Sequence, residues 1–87
     1  MLSELHVNGI FRTYSDAGVI DISNQTAYFN SYFYIYDNTV EAGSPFISTN
    51  STVYFSGSDA QLIKNWDASD LTFNDLIFSG TGDKTLD

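Results

Sequence analysis

Val53-Tyr54-Phe55-Ser56-Gly57-Ser58 returns further along the chain as Leu76-Ile77-Phe78-Ser79-Gly80-Thr81. Each copy reads apolar, variable, apolar, then a small polar residue and a glycine. That is the alternation of a strand with one buried face, followed by residues suited to a tight corner. Backward from it, Asn24-Gln25-Thr26-Ala27-Tyr28-Phe29-Asn30 matches Asn50-Ser51-Thr52-Val53-Tyr54-Phe55-Ser56, and Leu5-His6-Val7-Asn8-Gly9 fits the same frame. Four copies therefore begin near residues 5, 27, 53 and 76, at spacings of 22, 26 and 23. Self-similarity at a period of roughly 20–50 residues marks a chain that stacks one supersecondary unit on the next.

The rest of the chain agrees with strands. Thr, Val, Ile and aromatic residues dominate the stretches Leu5–Phe11, Gly18–Ile22, Ala27–Tyr36, Pro45–Ser48, Thr52–Phe55, Leu71–Phe73 and Leu76–Phe78. These side chains suit a pleated surface. Turn-forming clusters lie between them, among them Tyr14–Gly18, Glu41–Ser44 and Ser56–Asp59. The one short helical candidate is Ala60–Trp66, two turns long. The expectation is a single all-β domain over residues 1–87, a parallel β-solenoid of about four coils. A small antiparallel β-sandwich is the alternative.

Stacking at the interstrand spacing of about 4.8 Å would place equivalent residues directly over one another. Leu5, Ala27, Val53 and Leu76 form one expected inward column, and Val7, Phe29, Phe55 and Phe78 a second, aromatic one. Asn8, Asn30, Ser56 and Ser79 fall at the corner. If Phe29, Phe33 and Ile35 face inward, Tyr28, Tyr32, Tyr34 and Tyr36 face outward, with Tyr54 beside Tyr28 on the next coil. These five tyrosines are the candidate interaction face. Tyrosine packs against protein or stacks on sugar rings while its hydroxyl bonds their alcohols.

Composition narrows the partners. The 87 residues carry a formal charge of −8, which argues against nucleic acid and anionic membrane surfaces. Cysteine is absent, so there is neither a disulfide framework nor a thiolate metal site. An apolar content of 43% is too high for a disordered acidic tail. No run reaches the length of a membrane span, and the first residues lack the charged-then-apolar order of a signal segment.

Catalytic chemistry finds little support. His6 is the single histidine, so a Ser-His-Asp arrangement has one possible base and no nucleophile elbow to serve, and a multi-histidine zinc site is excluded. Gly80–Thr85 has the outline of a phosphate loop, but Asp83 stands before Lys84 and would repel the phosphate. Asp67, Asp70 and Asp75 around Trp66 could in principle form a glycosidase pair, and Asp67 with Asp70 a weak Ca²⁺ site. With eleven acids in the chain, such pairs arise by chance and a solvated acidic face explains them. Asn24-Gln25-Thr26 and Asn50-Ser51-Thr52 fit the glycosylation acceptor, yet their shared repeat position points to a polar stack. The expectation is therefore no enzyme, no cofactor and no metal.

The segment Val53–Leu86 resembles repeats of large secreted bacterial surface proteins of the adhesin type, which read V-x-F-x-G-x-x-x-Q-x-I … F-x-N-L-x-I. Gln61 and Ile63 stand at the middle of that pattern, and Leu71–Phe78 at its later element. Leu5–Phe11, reading LHVNGIF, is similar to the related L-x-V-x-G-x-F coil. The Tyr-rich stretch Tyr32–Tyr36 and the longer 26-residue coil depart from it. The resemblance implies a right-handed helix of parallel strands and an extracellular role in adhesion, scaffolding or surface display. The last copy keeps its apolar pattern almost to Asp87. An uncovered final coil would seek either the neighbouring coils of a longer chain or a second copy stacked end to end. The alternative role is a carbohydrate-binding β-domain that uses surface Tyr and Trp against a glycan.

Overall fold

The structure is a computed structural model that describes residues 4–13, 20–35, 46–65 and 71–87. Among them are ten strands and no helix. In chain order they are β1 (Glu4–Val7), β2 (Phe11–Arg12), β3 (Ile20–Asp21), β4 (Thr26–Phe29), β5 (Phe33–Ile35), β6 (Phe46–Ile47), β7 (Thr52–Phe55), β8 (Gln61–Asn65), β9 (Asp75–Phe78) and β10 (Lys84–Leu86). They form three sheets. The first runs β1-β4-β7-β9, the second β2-β5-β8-β10, and the third pairs β3 with β6. Every pair is parallel, so the antiparallel sandwich is set aside. Consecutive strands never pair with each other; from β1 to β8 the chain visits the three sheets in rotation.

The register follows the repeat frame. Leu5 lies opposite Ala27, Ala27 opposite Val53 and Val53 opposite Leu76, while Val7, Phe29, Phe55 and Phe78 form the parallel column. The longer second repeat leaves this alignment undisturbed. In the second sheet Phe11, Phe33, Ile63 and Leu86 align in the same way. Side chains from the three sheets meet in one core, where Ala27, Phe33, Ile35, Val53 and Phe55 are wholly buried. Phe33 is its hub. Its ring meets Phe29 at 4.9 Å, Phe46 at 5.2 Å and Phe55 at 5.3 Å, all edge to face. Each such contact contributes about 0.5–1.5 kcal/mol beyond simple burial.

Two corners hold the sheets at their angles. Between the first and second sheets, the Asn30 amide donates to Asn8 Oδ1 at 3.0 Å. The Asn30, Ser56 and Ser79 backbone N–H groups donate to Val7, Phe29 and Phe55 carbonyls of the preceding repeat. Gln61 is buried beside them. Its Oε1 accepts from the Gly57 N–H at 2.7 Å, and its Nε2 donates to the Phe29 and Ser31 carbonyls at 2.9 and 2.7 Å. A buried amide so fully bonded costs nothing in lost hydration. A side chain at Gly57 would run into the Asn30 carbonyl and the Gln61 amide, so only glycine fits. At the entry to the first sheet, Asn24 and Asn50 adopt left-handed conformations with φ of 63° and 55°. Asn tolerates that region better than other residues with a Cβ, which accounts for its recurrence there.

The structure refines the local reading of the chain. Leu5–Phe11 is two strands, because the chain turns at Asn8, and Ala27–Tyr36 likewise divides at Asn30 into β4 and β5. The helical candidate Ala60–Trp66 contains strand β8, since β5 and β10 offer hydrogen-bonding edges on both sides of it. Two turns of isolated helix cannot compete with that. Leu71–Phe73 forms no strand but packs Leu71 and Phe73 against the core. Lys84–Leu86, with one apolar residue, becomes β10 by pairing with β8.

Candidate functional site

Strand alternation turns the tyrosines outward while their neighbours fill the core. Tyr28 and Tyr54 are register partners on β4 and β7. Their ring centroids lie 4.6 Å apart with the planes 15° from parallel. His6, the partner of Tyr28 on β1, stacks on its other face at 4.6 Å and 6°. The result is a three-ring pile on the outer face of the first sheet, with Ile77 next in register. At the head of the pile, Glu4 Oε2 accepts from His6 Nε2 at 3.1 Å. Partial burial, then the charge of Glu4 and that of the Tyr54 phenolate, push the Tyr28 phenol above its ordinary value.

The other tyrosines lie elsewhere. Tyr34 belongs to β5 on the second sheet, between Arg12 and Lys64. Tyr32 is at the corner just before it, with its ring 5.7 Å from Tyr34 and tilted by 51°. The expected face is thus two separate groups, Tyr28 with Tyr54 and Tyr32 with Tyr34. Tyr36 lies outside the described residues, as do Trp66, Asp67 and Asp70. Asp75 is on β9, exposed and opposite Thr52. All three basic residues of the chain, Arg12, Lys64 and Lys84, fall on the second sheet. Lys64 pairs with Asp87 at 2.6 Å, and Lys84 Nζ caps the Gly57 and Gly82 carbonyls.

Two of the concavities among the described residues adjoin the repeat's corner and its last copy. A polar groove of about 350 Å³ follows the corner past Asn8, Asn30, Ser31, Ser56 and Asp59. An apolar depression of about 720 Å³ opens on the last repeat, lined by Ile63, Leu71, Phe73, Leu76 and Leu86. No cluster of metal-ligating side chains occurs among the described residues. No described helix is long and apolar enough to cross a membrane. The member of the ring pile that sequence reasoning left out is His6. The frame that aligned Leu5 with Ala27 also aligned His6 with Tyr28, and that was the signal available.

Stacking changes what the rings can do. A sugar needs an open ring face, and both faces of Tyr28 are occupied by His6 and Tyr54. Ring edge and hydroxyl are what Tyr28 presents outward. No family model, curated protein or solved structure matches the chain.

Proposed function

We propose that the chain is a stretch of right-handed parallel β-solenoid acting as a structural, adhesive module of an extracellular bacterial surface protein, without catalytic activity. The observation that carries this reading is the unbroken register of the first sheet ending in an uncovered apolar repeat. Leu76, Phe78 and Leu86 are 39%, 46% and 63% exposed, although their register partners Val53, Phe55 and Ile63 are buried. Right-handedness rests on the general rule that parallel crossover connections take that hand in roughly 98% of cases. The extracellular setting rests on the resemblance to adhesin-type repeats. The partner of the open end is another coil, supplied by a second copy or by a longer chain.

Light scattering across a concentration series, followed by electron microscopy, tests the self-associating form. Oligomers or short filaments that grow with concentration are expected, and Phe78→Lys with Leu86→Lys should return them to monomers. A wild-type chain that stays monomeric at every concentration and salt would remove that form of the proposal. The polar corner groove favours a second reading, binding of a surface glycan through amide and hydroxyl groups. Retention on a glycan array, lost on Asn30→Ala, would support it.

A further inference from the structure

A tyrosyl radical carries its unpaired spin in p orbitals normal to the ring, in part on the carbons flanking the hydroxyl. Two such radicals combine along the ring normals, so opposed ring faces are the productive geometry. Tyr28 and Tyr54 have that geometry: direct register partners, 4.6 Å apart and 15° from parallel, on an outer face where both side chains are only partly buried. We propose that this pair is an oxidative cross-linking site, at which a one-electron oxidant of the haem-peroxidase class, driven by hydrogen peroxide, joins the two rings through a carbon–carbon bond.

The step balances. Each phenol gives up one electron and its hydroxyl proton, and the two radicals form a bond between ring carbons ortho to oxygen. Each joined carbon then releases its hydrogen as a proton while its ring oxygen takes one back, restoring aromaticity. The pair loses two electrons and two protons in all, and one hydrogen peroxide consumes them to give two waters. Holding both partners in contact replaces a bimolecular encounter with an intramolecular one.

Nothing else among the described residues offers a comparable pair. Tyr32 and Tyr34 are 5.7 Å apart and tilted by 51°, and the register partners of Tyr34 are Arg12 and Lys64. The link would tie two repeats together covalently in a chain without cysteine, restricting its unfolded state much as a disulfide does.

The test treats the full chain at high dilution with hydrogen peroxide and a haem peroxidase. The expected product is a monomer lighter by two hydrogens with dityrosine fluorescence. Cleavage before aspartates should release residues 21–36 joined to residues 37–58, because Tyr54 is the single tyrosine of the second peptide. Tyr54→Phe should remove the product while Tyr34→Phe leaves it. The wild-type chain unfolded in urea should yield roughly tenfold less of the intrachain link, a measurement that stands even if a variant fails to fold. A link that survives Tyr54→Phe, that maps within residues 21–36, that joins separate molecules, or that forms equally well in urea would overturn the proposal.

Discussion

Phe55 and Phe78 hold the same place in the repeat, one strand apart, and their circumstances differ completely. Phe55 is wholly buried, with Phe29 and Phe33 rings within 6 Å, whereas Phe78 is 46% exposed. Ala27 and Val53 are likewise sealed while Leu76, next in their column, is open. Identity and register are matched, so the difference lies in whether a side chain has a repeat on both sides of it. Stability in such a stack comes from nearest-neighbour contacts, and a middle repeat makes two sets of them where an end repeat makes one.

The sharpest way to break this comparison is to truncate the two phenylalanines separately. Phe55→Ala should cost about 3–5 kcal/mol, because it removes a buried ring and leaves a cavity walled by Phe29, Phe33 and Phe73. Phe78→Ala should cost about 1 kcal/mol, since half the ring is already in water and no closed void forms. Urea denaturation in dilute solution reads both. Equal losses would mean that the last repeat is covered in solution. A Phe78→Ala penalty that rises with concentration would mean that another copy covers it.

A polar pair extends the comparison at lower cost. Gln61 and Lys84 are register partners at the same corner. Gln61 makes three hydrogen bonds in a buried setting, while the Lys84 amine reaches its two carbonyls from a partly exposed one. Gln61→Leu strands the Gly57 N–H, removes the amide donor from the Ser31 carbonyl and leaves the Phe29 carbonyl with the Ser56 N–H alone, and should cost about 2–4 kcal/mol. Lys84→Met should cost about 0.5–1.5 kcal/mol, because water can replace the amine at the Gly82 carbonyl. The same denaturation measurements rank them. A reversed order would place the corner's stability in charge at the open end.

Much of this was legible in the residues, for a physical reason. Parallel stacking repeats the environment of each position, so Leu5, Ala27, Val53 and Leu76 betray their alignment through shared pattern. Strands that owe their existence to a neighbour leave no such trace. β10 has one apolar residue and is a strand because β8 lies beside it, and β8 carries Lys64 and Asn65 where alternation fades. The tyrosines show another limit. Alternation separates inside from outside, but the turn at Asn30 through Tyr32 decides which sheet comes next, so Tyr28 and Tyr34 share an orientation without sharing a face. The candidate site was therefore half visible, as a Tyr28–Tyr54 contact without its His6 cap.

The smallest expected effect isolates what the stack does not supply. Asp21 is exposed at the end of β3, and its carboxylate accepts from the Ser23 N–H at 2.9 Å just before the left-handed Asn24. Bonding to the Ser23 hydroxyl and then to this N–H holds its carboxyl below the ordinary 3.8. The folded state thus prefers the ionised form, and the unfolded chain takes up the proton first as pH falls. The stability gained is complete above the ordinary carboxylate value, declines as pH drops below it, and is gone once the folded carboxyl has titrated too. Asp21→Asn should therefore leave the middle repeats intact and flatten the acid limb of a stability–pH curve slightly, visible in the urea midpoint as pH falls below the ordinary 3.8. Because the turn is local, that change should be the same when Phe78→Ala is also present. Non-additivity between the two would show that turn and column are coupled through the stack, and the separation of local from neighbour contributions would fail.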